Sequence, residues 1–210
     1  MRRIFFFALL LTAAAAIAVP ANAQFAPAAS SFKDTRMIKP PFGAKVAIWE
    51  FEDLECPACA RAFPLVHEAA HKYGIPLLRH DYPLPMHIWS FDAAVNARYI
   101  QDVVKNPALA DEYRGSVFKA QNGISNKNDL LNFTQHFAAA HKINWPFAVD
   151  PGQTLAAKVK ADKALGDQIG LTETPTIFVV TNRGGLQQVQ DINQLYQIID
   201  SAIASTGGKR

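Results

Sequence analysis

Two cysteines, Cys56 and Cys59, are the residues best suited to covalent chemistry, and the chain has no others. The apolar run Val46–Trp49 precedes them and predicts a buried strand. After them, apolar residues recur at intervals of three and four, which predicts a helix. The helical positions are Cys59, Phe63, Val66 and Ala70. Cys56 therefore marks the point where a strand gives way to a helix.

This position favours the ionised form of Cys56. The first turn of a helix has backbone N–H groups without intrahelical partners, and the helix dipole adds partial positive charge there. Pro57 suits that turn because its φ is preset and it has no N–H to satisfy. The N–H groups of Ala58 and Cys59 remain free to point at the sulfur. A low-pKa thiolate with a second thiol one turn away can form, attack and release disulfides.

Other uses of the cysteines and of nearby histidines have less support. A structural disulfide across so short a loop removes little chain entropy, and a structural zinc site needs four ligands. The run from His67 to His71 fits the H-E-x-x-H motif of zinc proteases, which leaves a catalytic zinc as an alternative. No recognised pattern for a third ligand follows, so we interpret the run as a solvated helix face. We predict redox chemistry with neither a metal nor an organic cofactor.

Residues 1–23 have the pattern of a secretory signal peptide. Arg2 and Arg3 are followed by the apolar run Ile4–Val19, and an A-x-A sequence ends at Ala23. The alternative is an uncleaved membrane anchor, but the apolar run is shorter than the roughly 20 residues that a span prefers. We therefore predict export to a bacterial periplasm, where disulfides form and persist.

The rest of the chain predicts one folded domain of nearly neutral charge. The formal net charge of +3 falls to +1 once Arg2 and Arg3 are removed, which does not favour a nucleic acid or an anionic membrane as partner. Residues 24–44 are rich in Ala and Pro and predict an extended lead-in. Residues 45–210 are long enough to bury a sizeable core.

Sequence patterns in this domain predict the order strand, helix, strand, four helices, two strands and a final helix. The later strands are predicted at 75–82, 176–180 and 186–190, and the first and last helices at 56–73 and 191–204. Ser90 and Asp150 are the predicted N-caps of the first and fourth central helices. The spacing of the first strand, helix and strand predicts a parallel βαβ unit.

Three segments of the sequence resemble the DsbA-like branch of the thioredoxin superfamily. Glu50–Cys59 is similar to the family's strand and CPxC motif, and Glu173–Val179 is similar to its cis-proline strand. The helical block between them resembles the family's inserted helical domain. The resemblance implies an α/β, thioredoxin-like fold over residues 45–210, with a helical insertion at about 85–172.

The resemblance also implies roles for the residues of the motif. Cys56 matches the exposed, attacking cysteine, and Cys59 matches the resolving cysteine, more buried on the helix. Pro57 and Ala58, between the two, are implied to contact the substrate. The implied reaction is dithiol–disulfide exchange through a mixed disulfide on Cys56, which Cys59 resolves.

Three further site residues follow from the resemblance. Pro175 matches the cis-proline that faces the disulfide, the alternative being an ordinary trans proline that opens a strand. The backbone of Thr174 would then pair with an extended substrate strand. Glu50 matches the family's buried acid, whose raised pKa would let it relay the proton of Cys59. The alternative for Glu50 is an exposed acid at the end of a strand.

The motif departs from the family pattern in one position. Ala58 stands where the best-known member has histidine, so neither charge nor a side-chain hydrogen bond reaches the thiolate from there. The acids Glu52, Asp53 and Glu55 place negative charge near Cys56, which opposes its ionisation. A less stabilised thiolate predicts a weaker oxidant and leaves the direction of electron flow open.

Together, the motif and the resemblance indicate a periplasmic thiol–disulfide oxidoreductase. Its implied substrates are exported proteins with cysteines, and its implied partner is a quinone-linked membrane protein that reoxidises it. A disulfide reductase or isomerase is the first alternative. A non-catalytic module that binds through the thioredoxin groove is the second.

Overall fold

The computed structural model describes residues 32–207. The predicted signal peptide lies outside this range, as do the first residues of the lead-in. Within the described range, no helix combines the length and the apolar character that a membrane crossing requires.

The order of helices and strands matches the predicted order. The strands are β1 (Val46–Glu52), β2 (Leu77–Asp81), β3 (Thr176–Thr181) and β4 (Leu186–Gln188). The helices are α1 (Pro57–Tyr73), α2 (Ser90–Asp102), α3 (Pro107–Ala120), α4 (Lys127–Ala140), α5 (Thr154–Ile169) and α6 (Leu195–Ser205). Short 3₁₀ turns at Gln121–Gly123 and Ile192–Gln194 lead out of α3 and into α6.

The strands form one sheet in the order β2-β1-β3-β4. β1 and β2 are parallel, as the βαβ pattern predicted, while β3 is antiparallel to both β1 and β4. All seven residues of β1 are buried, so both faces of the sheet are covered at this strand. Because side chains alternate along a strand, Val46 and Ile48 pack with α1 and α6, and Trp49 and Phe51 pack on the opposite face.

The four central helices occupy the chain between β2 and β3, where the insertion was predicted. Apolar side chains of α2, α3 and α4, together with Trp89 just before α2, form a cluster that includes Tyr113 and Val117. Leu54 and Cys59 belong to the same cluster. The helical block therefore packs directly against the segment that carries the two cysteines.

Two predicted N-caps are wrong. Ser90 is the first residue of α2 rather than its cap, and the carboxylate of Glu55 accepts hydrogen bonds from the N–H groups of Trp89 and Ser90 instead. Asp150 lies ahead of a turn, and α5 begins at Thr154. The Asp150 carboxylate still accepts a hydrogen bond from the Ala156 N–H at 2.7 Å. It therefore satisfies one N–H group in the first turn of α5, although it lies outside the helix.

Candidate active site

Cys56 is the N-cap residue of α1, with Pro57 in the first helical turn. Its side chain is only 7% exposed, so the expectation of an exposed attacking cysteine is wrong in degree. Across the site, the Cys56 sulfur lies 3.3 Å from the carbonyl oxygen of Thr174, to which the thiol donates a hydrogen bond when it is protonated. Cys59 is 1% exposed and remains the more buried of the two.

The two thiols have opposite tendencies to ionise, although both are free cysteines in the structure. A hydrogen bond from Cys59 and the backbone N–H groups of Cys59 and Ala58 lower the pKa of Cys56 to about 5. Burial raises the pKa of Cys59 well above its usual value, and the neighbouring Cys56 adds to this rise. At neutral pH the proton of the pair therefore resides on Cys59, and Cys56 is the thiolate.

Pro175 follows a cis peptide bond from Thr174, as predicted, so the trans alternative is wrong. Thr174 lies directly before β3 and is 8% exposed. Because its carbonyl oxygen contacts the Cys56 sulfur, the Thr174–Pro175 segment and the CPxC motif form one site. The site joins residues that are more than a hundred positions apart in the chain.

Glu50 is completely buried on β1, which excludes the alternative of an exposed acid. Burial, followed by the negative charge of Glu52, raises its pKa to about 8. Neither carboxylate oxygen of Glu50 has a hydrogen-bond partner within residues 32–207. The nearest cationic atom is Nε of Arg79, 3.8 Å from Oε2. Glu50 is therefore protonated at neutral pH and can exchange that proton near pH 8.

Comparison with protein families identifies the superfamily. The family described as Thioredoxin matches residues 42–201, which span the sheet, the helical block and both parts of the site. The chain belongs to the thioredoxin family. No curated protein matches the sequence of this thioredoxin-family chain.

Solved structures with the same fold include several DsbA proteins. Alpha-DsbA1 from Wolbachia pipientis is 16% identical, with a TM-score of 0.63 over 80% of this chain and 90% of that one. BdbD from Bacillus subtilis is 17% identical, with a TM-score of 0.63 over 81% and 92%. The thiol-disulfide exchange protein alpha-DsbA2 from Wolbachia pipientis is 14% identical, with a TM-score of 0.60 over 77% and 84%. The predicted thioredoxin-like fold of the DsbA type is confirmed.

The three acids around the CPxC motif have partners that the sequence did not indicate. Asp53 is buried, and its carboxylate accepts bonds from the Leu84 N–H at 2.6 Å and the Glu55 N–H at 2.8 Å. Its backbone N–H donates to the Cys59 sulfur at 3.4 Å. Glu52 is 1% exposed, and its charge raises the pKa of Cys59. The carboxylates of Asp53 and Glu55 therefore hold the neighbouring backbone, the charge of Glu52 acts on Cys59, and hydrogen bonding dominates at Cys56.

Sequence analysis missed the arginines that lie beneath the motif. Arg79 of β2 and Arg114 of α3 are both largely buried, and both lie within 4 Å of Glu52. The alternation of β1 held a signal, because Glu52 follows Glu50 by two residues and must share its face. The helical spacing of Ala110, Arg114 and Val117 held a weaker one, since it places Arg114 on the buried side of α3.

The H-E-x-x-H histidines do not converge with a third ligand. Within residues 32–207, no group of three or more His, Cys, Asp or Glu side chains is arranged to hold a metal ion. His67 instead contacts the Arg79 guanidinium and packs on Phe63, with ring centroids 4.1 Å apart. Burial and the Arg79 charge lower the pKa of His67 to about 4, so its ring is neutral.

Proposed function

We propose that this protein is a thiol–disulfide oxidoreductase that exchanges disulfides with exported proteins through a mixed disulfide on Cys56. The observation that carries the proposal is the placement of two cysteines one helical turn apart, the first at a helix N-terminus and 3.3 Å from the Thr174 carbonyl oxygen. This placement lowers the pKa of Cys56 and raises that of Cys59. A thiolate at neutral pH attacks disulfides readily, and a buried neighbouring thiol can resolve the product. The DsbA fold supports the same conclusion.

The exchange balances in atoms and electrons without a further reactant. A substrate thiolate attacks Cys56 of the Cys56–Cys59 disulfide, and Cys59 leaves with the electron pair. Because the pKa of Cys59 is high, its sulfur takes up a proton, for which Glu50 is the donor we propose. A second thiolate of the same substrate then attacks the substrate sulfur of the mixed disulfide. This step forms the substrate disulfide and releases the Cys56 thiolate. The substrate is oxidised and the enzyme is reduced.

The substrate is proposed to bind as an extended segment along Thr174, with Pro57 and Ala58 on the other side of the sulfur. Backbone pairing at Thr174 would give affinity that does not depend on the substrate sequence. A cleft of about 410 Å³ continues from Pro175, with Phe32, Glu173 and Gln188 among its walls. It offers room for residues that flank the reacting cysteine of the substrate.

Oxidation is the favoured direction of the reaction. A Cys56 pKa of about 5 means that the thiolate of the reduced enzyme is stabilised. The Cys56–Cys59 disulfide is therefore a stronger oxidant than one whose thiol has an ordinary pKa. Reduction or isomerisation is the alternative direction. The periplasm is the proposed location because of the signal-peptide pattern of residues 1–23, and a membrane redox partner is the proposed source of reoxidation.

The decisive experiment measures the reduction potential of the Cys56–Cys59 pair against glutathione, together with turnover of a reduced, unfolded test protein. We expect a potential more oxidising than about −200 mV and catalytic formation of disulfides in the test protein. A potential near −270 mV with rapid insulin reduction would assign the reductase role instead. A non-catalytic binding module would show no turnover in either assay, which would overturn the proposal.

A further inference from the structure

Two acids that should repel each other lie side by side beneath the CPxC motif. In the parallel pairing of β1 and β2, Glu52 is opposite Asp81, and Glu50 is opposite Arg79. Alternation places all four side chains on the face that α1 covers, below Cys59. Glu52 and Asp81 are each 1% exposed, so solvent does not screen their charges. Such an arrangement is costly unless a cation lies between them.

Arg114 supplies that cation from the helical block. Its Nη1 atom donates to Oε1 of Glu52 at 2.6 Å and to Oδ1 of Asp81 at 2.7 Å. The side chain is 2% exposed, and its guanidinium remains charged at any relevant pH. A helix inserted into the fold thus places a permanent positive charge under the strand that leads to Cys56.

Glu50 and Glu52 are chemically identical and equally buried, but their partners differ. Arg114 and Arg79 both contact Glu52, with Arg79 Nε at 3.2 Å from Oε1. Glu50 has no hydrogen-bond partner in the described part of the chain. Burial raises the pKa of Glu52, and the two arginines oppose this rise. Burial and the charge of Glu52 raise the pKa of Glu50, and the same two arginines oppose that rise without a hydrogen bond to it. Because the two carboxyls interact, they titrate as a pair.

We propose that Arg114 is a positioning residue for thiol–disulfide exchange, because it fixes the negative charge on Glu52 and thereby leaves the exchangeable proton on Glu50. The inference rests on the proposed function, in which that proton passes to the Cys59 sulfur when Cys59 leaves the disulfide. It extends that function by assigning a role to a residue of the helical insertion.

Other charged groups near Glu50 and Glu52 also affect their titration, so the experiment needs a control variant. The other charged or titratable groups around the two acids are Arg79, Asp81, Asp111, His67 and Cys59. Arg98 of α2 and Asp162 of α5 extend the network on the far side of Asp81. Arg98 binds the second oxygen of Asp81 at 2.6 Å but has no contact with Glu52, so it provides a matched control.

The test compares Arg114→Gln, Arg114→Lys and the control Arg98→Gln. The carboxyl stretch in infrared spectra reports protonation of the pair in the full chain, and the pH profile of glutathione exchange reports its use. Loss of a cation raises the pKa of both acids, so Arg114→Gln should move the upper carboxyl titration upward by about one pH unit or more. Arg114→Lys should restore most of this shift, and Arg98→Gln should produce less than half of it.

The variant Glu52→Gln separates an action through Glu52 from a direct action on Glu50. Glu52→Gln alone should move the carboxyl titration downward, because the negative charge beside Glu50 is gone. The double variant Glu52→Gln, Arg114→Gln removes both members of the ion pair, so it should fold even if Arg114→Gln alone does not. In the Glu52→Gln background, Arg114→Gln should shift the titration by much less than in the native background.

The outcomes are distinguishable. Equal shifts in the two backgrounds would mean that Arg114 acts on Glu50 directly, which overturns the inference. An upward carboxyl shift without a matching shift in the exchange profile would also overturn it, because the proton would then be irrelevant to the reaction. If the native protein shows no exchange at any pH while the carboxyl titrations behave as described, the proposed function fails, and the placement of the proton stands.

Discussion

The first turn of α1 and the turn that follows it differ more than their sequences suggest. Cys56 lies at the helix end, where backbone N–H groups and the Cys59 thiol stabilise negative charge. Cys59 lies three residues further on, 1% exposed among apolar side chains and close to the charge of Glu52. The pKa of one thiol falls and that of the other rises. Position along a single helix thus decides which of the two thiols ionises more readily.

The strongest test of this difference exchanges each sulfur for oxygen. Cys56→Ser should abolish disulfide exchange, because serine is not a nucleophile toward disulfides. Cys59→Ser should accumulate mixed disulfides on Cys56 that are not resolved. Mass spectrometry of the trapped species after incubation with a peptide disulfide checks both expectations. Trapped adducts on Cys59 in the Cys56→Ser protein would reverse the roles of the two residues.

A second, smaller effect concerns the buried environment below Cys59. The pKa of Glu50 is about 8 in the folded protein, against 4.5 for a free glutamate. Between these values the unfolded chain loses a proton that the folded protein keeps, so folding stability falls as pH rises. Glu50→Gln cannot ionise and should lack this decline. Near pH 8 it should be more stable than the native protein by up to about 4 kcal/mol.

Urea denaturation of the oxidised protein at pH 4.5 and pH 8 measures this effect without titration of the cysteines. The exposed Glu68→Gln serves as the control for a glutamate-to-glutamine change outside the buried face of the sheet. A parallel pH dependence for the native protein and Glu50→Gln would show that Glu50 ionises normally. The buried surroundings below Cys59 would then have no measurable effect on the ionisation of Glu50.

The smallest expected effect comes from a substitution at residue 58, in the first turn of α1. In Ala58→His, a protonated imidazole near the sulfur should lower the pKa of Cys56 further and raise the reduction potential with it. The rise should be up to about 30 mV for each unit by which the pKa falls. Thiolate absorbance against pH and the glutathione equilibrium measure the two quantities. A fall in pKa at an unchanged potential would show that thiolate stability does not set the redox poise.

Much of the site could be predicted because it depends on local patterns. The apolar run of β1 and the helical spacing after Cys56 lie within a few residues of the motif, and they place the cysteine at the N-terminus of α1. The positions of Pro175 and Glu50 came from the family resemblance, which the Thioredoxin match confirms at the level of the fold. The cis bond and the burial of Glu50 agree with it.

Contacts between distant segments could not be predicted in the same way. Glu55 was interpreted as a charge beside Cys56, yet its carboxylate binds the first N–H groups of α2, about 35 positions away. Ser90, a good N-cap by composition, is displaced from that role by this contact. A capping preference describes which hydrogen bonds a residue can make. The tertiary fold decides whether another acceptor occupies the same N–H groups.

The sequence by itself determined the chemistry of the protein: two thiols one helical turn apart, with one of them at a helix end. The tertiary structure alone decided how the protons are distributed beneath them. Glu50 and Glu52 are equivalent in the sequence, two residues apart on one buried face, and Arg114 makes them unequal from 62 positions further along the chain. No local pattern records that pairing, because it depends on the register of β1 with β2 and on where α3 packs against α1 and α2.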